Sequence, residues 1–137
     1  MNWRKAMEEI KIRNFTPETA SKDSIKRKNA LKRVIGAKIG KDLLKIRERT
    51  LNRLLLVDVT YRLYVDKNSG SSKKDLDNLL KILFDVLSKN MVNGQASKKG
   101  LGIMIDDSFV YEIRAKKILV NEPKEQGFDL MISSSIR

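Results

Sequence analysis

The chain has 137 residues, 41% of them hydrophobic, and a formal net charge of +12, which suits one domain with a real core and argues against wholesale disorder. It contains neither cysteine nor histidine, so disulfides, thiolate or imidazole zinc sites, serine–histidine triads, cysteine proteases and zinc deaminases are all excluded. Any metal would be a hard cation held by oxygen, such as magnesium or manganese.

The opening "MNWRKAMEEIKIR" lacks the apolar stretch of a signal peptide, and no later run has transmembrane length. A soluble, cytoplasmic protein with no membrane association is expected. "EEIKIRNF" sets Ile10 and Ile12 against charged neighbours and predicts a short strand. "TPETASKD" is a connector. From Asp23 to about Arg49, Leu31, Val34, Ile35, Ile39, Leu43 and Ile46 recur at three- and four-residue steps, predicting one long helix capped by Asp23 or Ser24. Gly36 and Gly40 weaken it or mark a close contact. "LLLVDVTYRLYV" predicts the clearest strand, with Leu55, Val57, Val59, Tyr61, Leu63 and Val65 on one face and Asp58, Thr60 and Arg62 on the other. "DKNSGSS" is a loop, and a helix from about Lys74 to Lys89 follows. After the loop "NGQASKKGLG", the run "IMIDDSFVYEIRAKKILV" reads as a hairpin, or as two strands joined at Asp106-Asp107-Ser108. "EPKEQG" is a turn and "FDLMISSSI" a last strand. The order β-α-β-α-β-β-β describes an α+β domain over residues 1–137, with a mixed or antiparallel sheet and two main helices packed on it.

Charge divides this domain. Residues 1–54 hold 16 Lys/Arg against 6 Asp/Glu, whereas residues 55–137 hold 13 against 11. A basic part beside a nearly neutral one suggests a face for a polyanion, nucleic acid above all. A solubility charge is the plainer reading.

Two acidic features lie in the second part. In "KKDLDNLLK", Leu76, Leu79, Leu80, Leu83 and Leu87 form a helical core face, with Phe84 at its edge. Asp77 and Lys81 are neighbours beside it, and Asp75 stands at the helix start. Aspartates there are ordinary as caps or as partners of the helix dipole. An EF-hand is ruled out, because Leu79, Leu80 and Val86 fall where the loop needs an oxygen ligand, glycine and glutamate. The second feature, Asp106-Asp107, follows an apolar run; a turn would explain it, and so would an offsetting cation. Asp107 and Lys117 share parity, which permits one face if the pairing is regular. Four acids, a nearby lysine and a basic face together suggest carboxylates that hold divalent ions to activate water against a phosphodiester, with lysine offsetting charge at the phosphate.

In "DLDNLLK" and "IDDSFVYEIRAKK" the sequence resembles the RusA family of Holliday junction resolvases. The family pattern, Asp-x-Asp-Asn-x-x-Lys on a helix, then Asp-Asp, then a strand ending in lysine, becomes Asp75, Asp77, Asn78 and Lys81, then Asp106 and Asp107, then Lys117. The match covers about residues 55–119. It implies a magnesium-dependent endonuclease, with manganese as a substitute, acting as a homodimer on four-way DNA junctions in recombination and repair. Asp75, Asp77 and Asp107 would be the metal-binding acids, Asp106 a further acidic neighbour, and Lys81 the catalytic lysine, with Asn78 and Lys117 in support. Two departures concern substrate and dimer: the linker between helix and Asp-Asp pair is long, and a long basic helix replaces a proline-rich opening.

Two other readings stay open. A restriction-type nuclease core wants Glu-x-Lys on a strand, and Glu112-Ile113-Arg114 is a near miss. A non-catalytic DNA- or RNA-binding protein would use the basic helix and leave the acids as caps and turns. Trp3, Phe109 and Tyr111 read as packing residues more readily than as base-stacking platforms. Lys67, Lys73, Lys74, Lys98 and Lys99 are candidate phosphate contacts in loops.

Overall fold

A computed structural model describes residues 2–4, 9–19, 24–64, 74–92 and 94–136. The elements are β1 (Glu9–Arg13), α1 (Ser24–Ile39), α2 (Leu43–Thr50), β2 (Leu55–Tyr64), α3 (Leu76–Leu87), β3 (Val110–Val120) and β4 (Gly127–Ser134). The fold is α+β, with one four-stranded mixed sheet in the order β1-β4-β2-β3. β4 is antiparallel to both neighbours, whereas β2 and β3 are parallel. A parallel pair needs a crossover, and α3 lies in it. The expected caps and contacts at Asp23, Val65, Lys67 and Lys73 lie outside the described residues.

One face of the sheet is dry. Val57, Val59, Tyr61 and Leu63 of β2 meet Phe128, Leu130 and Ile132 of β4 and Ile10 and Ile12 of β1 in one core under the helices. Burial pushes the Tyr61 hydroxyl far above its ordinary pKa; it donates to the Leu79 carbonyl at 3.3 Å. α1 packs on α3 and on β1, so the basic N-terminal part shares the core of the rest. α3 buries Leu79, Ile82, Leu83, Val86 and Leu87. Its apolar stripe is therefore rotated from the expected one: Leu76, Leu80 and Phe84 are only half-buried.

Two expectations about the elements are corrected. The long helix is two, because Gly40 takes a left-handed φ of 57° and a 3-10 turn at Gly40–Asp42 separates them. The two-stranded run at 103–120 is a single strand, β3. The apolar run before it is used otherwise: α3 ends with unsatisfied carbonyls, and Leu101, Ile103 and Gly102 donate to Val86, Leu87 and Ser88 at 2.7, 2.9 and 3.1 Å. There are thus four strands among the described residues, in the order β-α-α-β-α-β-β. The loop rides close over the helix end, and a Cβ at Gly100 would strike the Ser88 carbonyl and stand 2.7 Å from that of Val86.

The other sheet face is polar and cross-tied. Arg62 is 8% exposed. It donates to the Ile12 carbonyl and pairs with Asp129 at 2.9 Å, while Arg13 reaches the same carboxylate at 3.0 Å. Partial burial pushes the Asp129 carboxyl up, but the bonds and charges of Arg13 and Arg62 outweigh it and hold it below the usual range.

Two measurements check these packing arguments. By urea denaturation, Gly100→Ala should cost about 1–3 kcal/mol. Gly36→Ala, inside α1 with only an ordinary 3.7 Å contact to Leu101, should gain roughly 0.5–1 kcal/mol from helix propensity. Because the folded Asp129 carboxyl titrates below the unfolded value of about 3.9, its contribution is present above that pH and lost as pH falls through the folded value. Asp129→Asn should therefore lower stability at neutral pH and flatten the decline below about pH 4.

Candidate functional site

α3 begins after Asp75, whose extended backbone (φ −72°, ψ 140°) makes it the N-cap; its carbonyl accepts from Leu79 N at 3.0 Å. Its side chain makes no cap hydrogen bond. Asp77, in the first turn, and Lys81, one turn on, are exposed. No ion pair joins them, and among the described residues neither Asp75 nor Asp77 has a side-chain partner. Of the ordinary duties of acids at a helix start, only the dipole contribution is left to them. Half-buried Asn78 likewise has no hydrogen bond among the described residues.

Lys117, near the end of β3, donates to the Lys74 carbonyl at 2.9 Å, so the C-terminal part of β3 stands at the start of α3. The Lys74 ammonium turns the other way. It donates to Pro17 O at 2.6 Å and lies 3.8 Å from Glu18; burial pulls its pKa down and Glu18 partly restores it.

The second acidic pair lies elsewhere. Asp106 caps a 3-10 turn at Asp107–Phe109 and accepts from the Ser108 hydroxyl and from Ser108 N at 2.9 Å. Those two bonds lower its pKa. Asp107 is exposed. With Asp106, Asp85, Ser88, Lys89, Asn90 and Ile105 it lines a polar hollow of about 450 Å³. This hollow is at the end of α3, where Ser88 bridges to Met104 and Lys89 N donates to Ile105 O at 3.3 Å.

α3 is 12 residues long, roughly 18 Å at ~1.5 Å per residue. Along β3, Val110 and Lys117 are about 23 Å apart at ~3.3 Å per residue. A single chain therefore sets Asp75, Asp77 and Lys117 at one end of α3 and Asp106 and Asp107 at the other. Among the described residues no three acidic side chains gather as a set of metal ligands. The parity relation between Asp107 and Lys117 also fails, because Asp107 sits in a turn and the β2–β3 register shifts between Leu55 and Leu56, leaving Tyr111 as the extra residue.

Sequence reasoning missed Asp85, although it continues the i, i+4 stripe of Asp77 and Lys81. Lys28, 8% exposed, reaches it at 3.0 Å and donates to Met91 O at 3.0 Å. Other cations of the basic part are also structural: Lys32 and Arg47 donate to Lys99 and Leu101 carbonyls at 2.8 Å each. Lys26, Arg33, Lys38, Lys41, Lys45 and Arg49 are exposed, as are Lys98 and Lys99. Trp3 donates to Glu112 at 3.2 Å, and Arg114 pairs with the same carboxylate at 2.9 Å, so the Glu-x-Arg segment is internally satisfied. Phe109 packs against the core, but Tyr111 is 64% exposed, against the packing role expected for it.

Comparison with protein-family models and with curated proteins gave no match to this chain.

Asp85→Ala would leave the Lys28 charge buried without its carboxylate and should cost about 1–3 kcal/mol in urea denaturation; the double variant Lys28→Met/Asp85→Ala should recover part of that loss.

Proposed function

We propose that the protein is a metal-dependent endonuclease of the RusA type that cuts branched DNA, four-way junctions first, by hydrolysing phosphodiesters in symmetric pairs as a homodimer. The observation that carries this reading is the pair of exposed carboxylates at the start of α3. Asp75 makes no cap bond, and Asp77 makes no ion pair with Lys81, so of the duties that would explain them structurally only the dipole contribution is taken up. Asp75 and Asp77 would hold magnesium or manganese, which would supply an activated water. Lys81, one turn above Asp77, would offset charge on the phosphate in the transition state. Asp107 would complete the acidic set, whereas Asp106, engaged by Ser108, would position the turn that carries it. The exposed cations of α1 and α2 would hold the DNA backbone.

The separation of the two acidic pairs within one chain favours a second reading, a DNA- or RNA-binding protein without catalysis. Metal linkage distinguishes the two, because an ion bound only by the folded protein raises its melting temperature.

The test is cleavage of a synthetic four-way junction beside linear duplex, with and without magnesium, for the native protein and Asp77→Asn. The expected outcome is magnesium-dependent junction cleavage that falls by orders of magnitude in the variant, while junction affinity holds or rises. Manganese should raise the melting temperature of the native protein and not of Asp77→Asn. Normal cleavage by Asp77→Asn, or no metal effect on either protein, would leave the binding protein as the reading.

A further inference from the structure

We infer that the hollow between the end of α2 and the loop that closes α3 is a docking site for an acidic peptide segment with an apolar anchor, supplied by a protein partner. The hollow measures about 410 Å³, within the roughly 300–1,000 Å³ of built ligand sites. Buried Ile103 and Met104 line it together with Phe109, and so do Leu51 and Ile105, which are exposed by 65 and 48%. Singly exposed aliphatic side chains are ordinary on a protein surface. Two that flank one hollow above buried apolar side chains hold a continuous apolar patch in water, which marks an interaction site.

The site is preformed. On one side the Leu51 amide donates to the Arg47 carbonyl at 2.9 Å and ends α2. On the other side the amides of Gly102, Ile103 and Met104 donate to carbonyls at the end of α3, which fixes the loop. Gly102 keeps the space open. It takes a left-handed φ of 68°, and a Cβ there would stand only 3.3 Å from Arg47 Nε.

Charge selects the occupant. No carboxylate lines the hollow, whereas Arg47 and Lys89 do. Arg47 engages only its Nε, on the Leu101 carbonyl at 2.8 Å. Among the described residues its other guanidinium nitrogens and the Lys89 ammonium have no hydrogen-bond or ion-pair partner. An apolar hollow with two such cations complements an apolar side chain flanked by carboxylates. A nucleic-acid strand fits less well. Bases are held by aromatic stacking and read through polar groups at their edges. Here the exposed sides are aliphatic, and the Thr50 hydroxyl already donates to the Ile46 carbonyl at 3.1 Å. A strand also carries charge at every phosphate, and beyond Lys89 and Ile105 it would meet Asp106 and Asp107 in the neighbouring hollow. A peptide can place its carboxylates at Arg47 and Lys89 alone. This inference does not depend on the nuclease reading, whose acids at the start of α3 lie outside the hollow.

Fluorescence anisotropy tests it with three labelled peptides. One carries a central Leu-Phe pair among aspartates and glutamates, one has Ala-Ala in place of that pair, and one has lysines in place of the acids. The native protein should bind the first about tenfold more tightly than either of the others, and salt should weaken the complex. Leu51→Ser, Ile105→Ser and Lys89→Gln should each weaken it several-fold while circular dichroism stays native. Lys116→Gln, an equal loss of charge at an exposed position of β3, should bind like the native protein. Equal affinity for the three peptides, or equal binding by Lys89→Gln and Lys116→Gln, overturns the proposal. Displacement of the peptide by a single-stranded oligonucleotide whose own affinity falls in Ile105→Ser would make the hollow a nucleotide site. A drop in molar mass by light scattering on Leu51→Ser would make it a contact between copies of the chain. Either result also overturns the peptide.

Discussion

β2 and β3 lie side by side and point the same way. Two parallel strands cannot be joined by a tight turn, so the chain must return the length of the sheet between them, and α3 lies on that return path. The helix consequently starts at the end where both strands finish and finishes where β3 begins. Each acidic motif sits at a junction of this unit, Asp75 and Asp77 where α3 starts and Asp106 and Asp107 where β3 starts. The parallel pairing therefore holds the two motifs roughly a helix length apart in any one chain. It also leaves β3 outermost, with apolar side chains uncovered on an open edge. Separation of the acids and exposure of the edge have the same cause.

Much of this architecture was legible in the residues. The alternation in β2 placed Val57, Val59, Tyr61 and Leu63 on the buried face, because a half-buried strand writes its two faces directly into sequence parity. Ile10 and Ile12 did the same for β1. The stripe of α3 was read about one position off, since Ile82 and Val86 are as apolar as Leu76 and Leu80, and only the direction from which sheet and α1 cover the helix decides among them. The segment before Asp106 misled for a different reason. An apolar run such as Ile103–Ile105 looks the same whether it pairs with a strand or satisfies the last carbonyls of a helix. With that run assigned to a hairpin, Asp107 was expected on a strand facing Lys117, when it stands in a turn beyond a bulge.

Charge was legible in amount and not in use. The basic part of the sequence suggested a polyanion face, but Lys28, Lys32 and Arg47 are fastened to Asp85, Met91, Lys99 and Leu101 and hold the helices onto the loop that closes α3. Burial of the ammonium of Lys28 beside Asp85 is a long-range pairing, with 56 residues between them in the chain, that no local pattern announces. What remains for the proposed polyanion contact is the exposed remainder on α1 and α2, a smaller set than the net charge implied.

The central claim is that an ion held at the start of α3 has ligands from two motifs that one chain keeps apart. Paramagnetic line broadening by manganese tests it most directly, because broadening falls steeply with distance from the ion. The account predicts that at substoichiometric manganese the amide signals of Asp75–Asn78 and of Asp107–Phe109 broaden together, and that signals at the middle of α3 broaden less than either. Broadening confined to one motif, or spread along the exposed carboxylates of the whole surface, would contradict it.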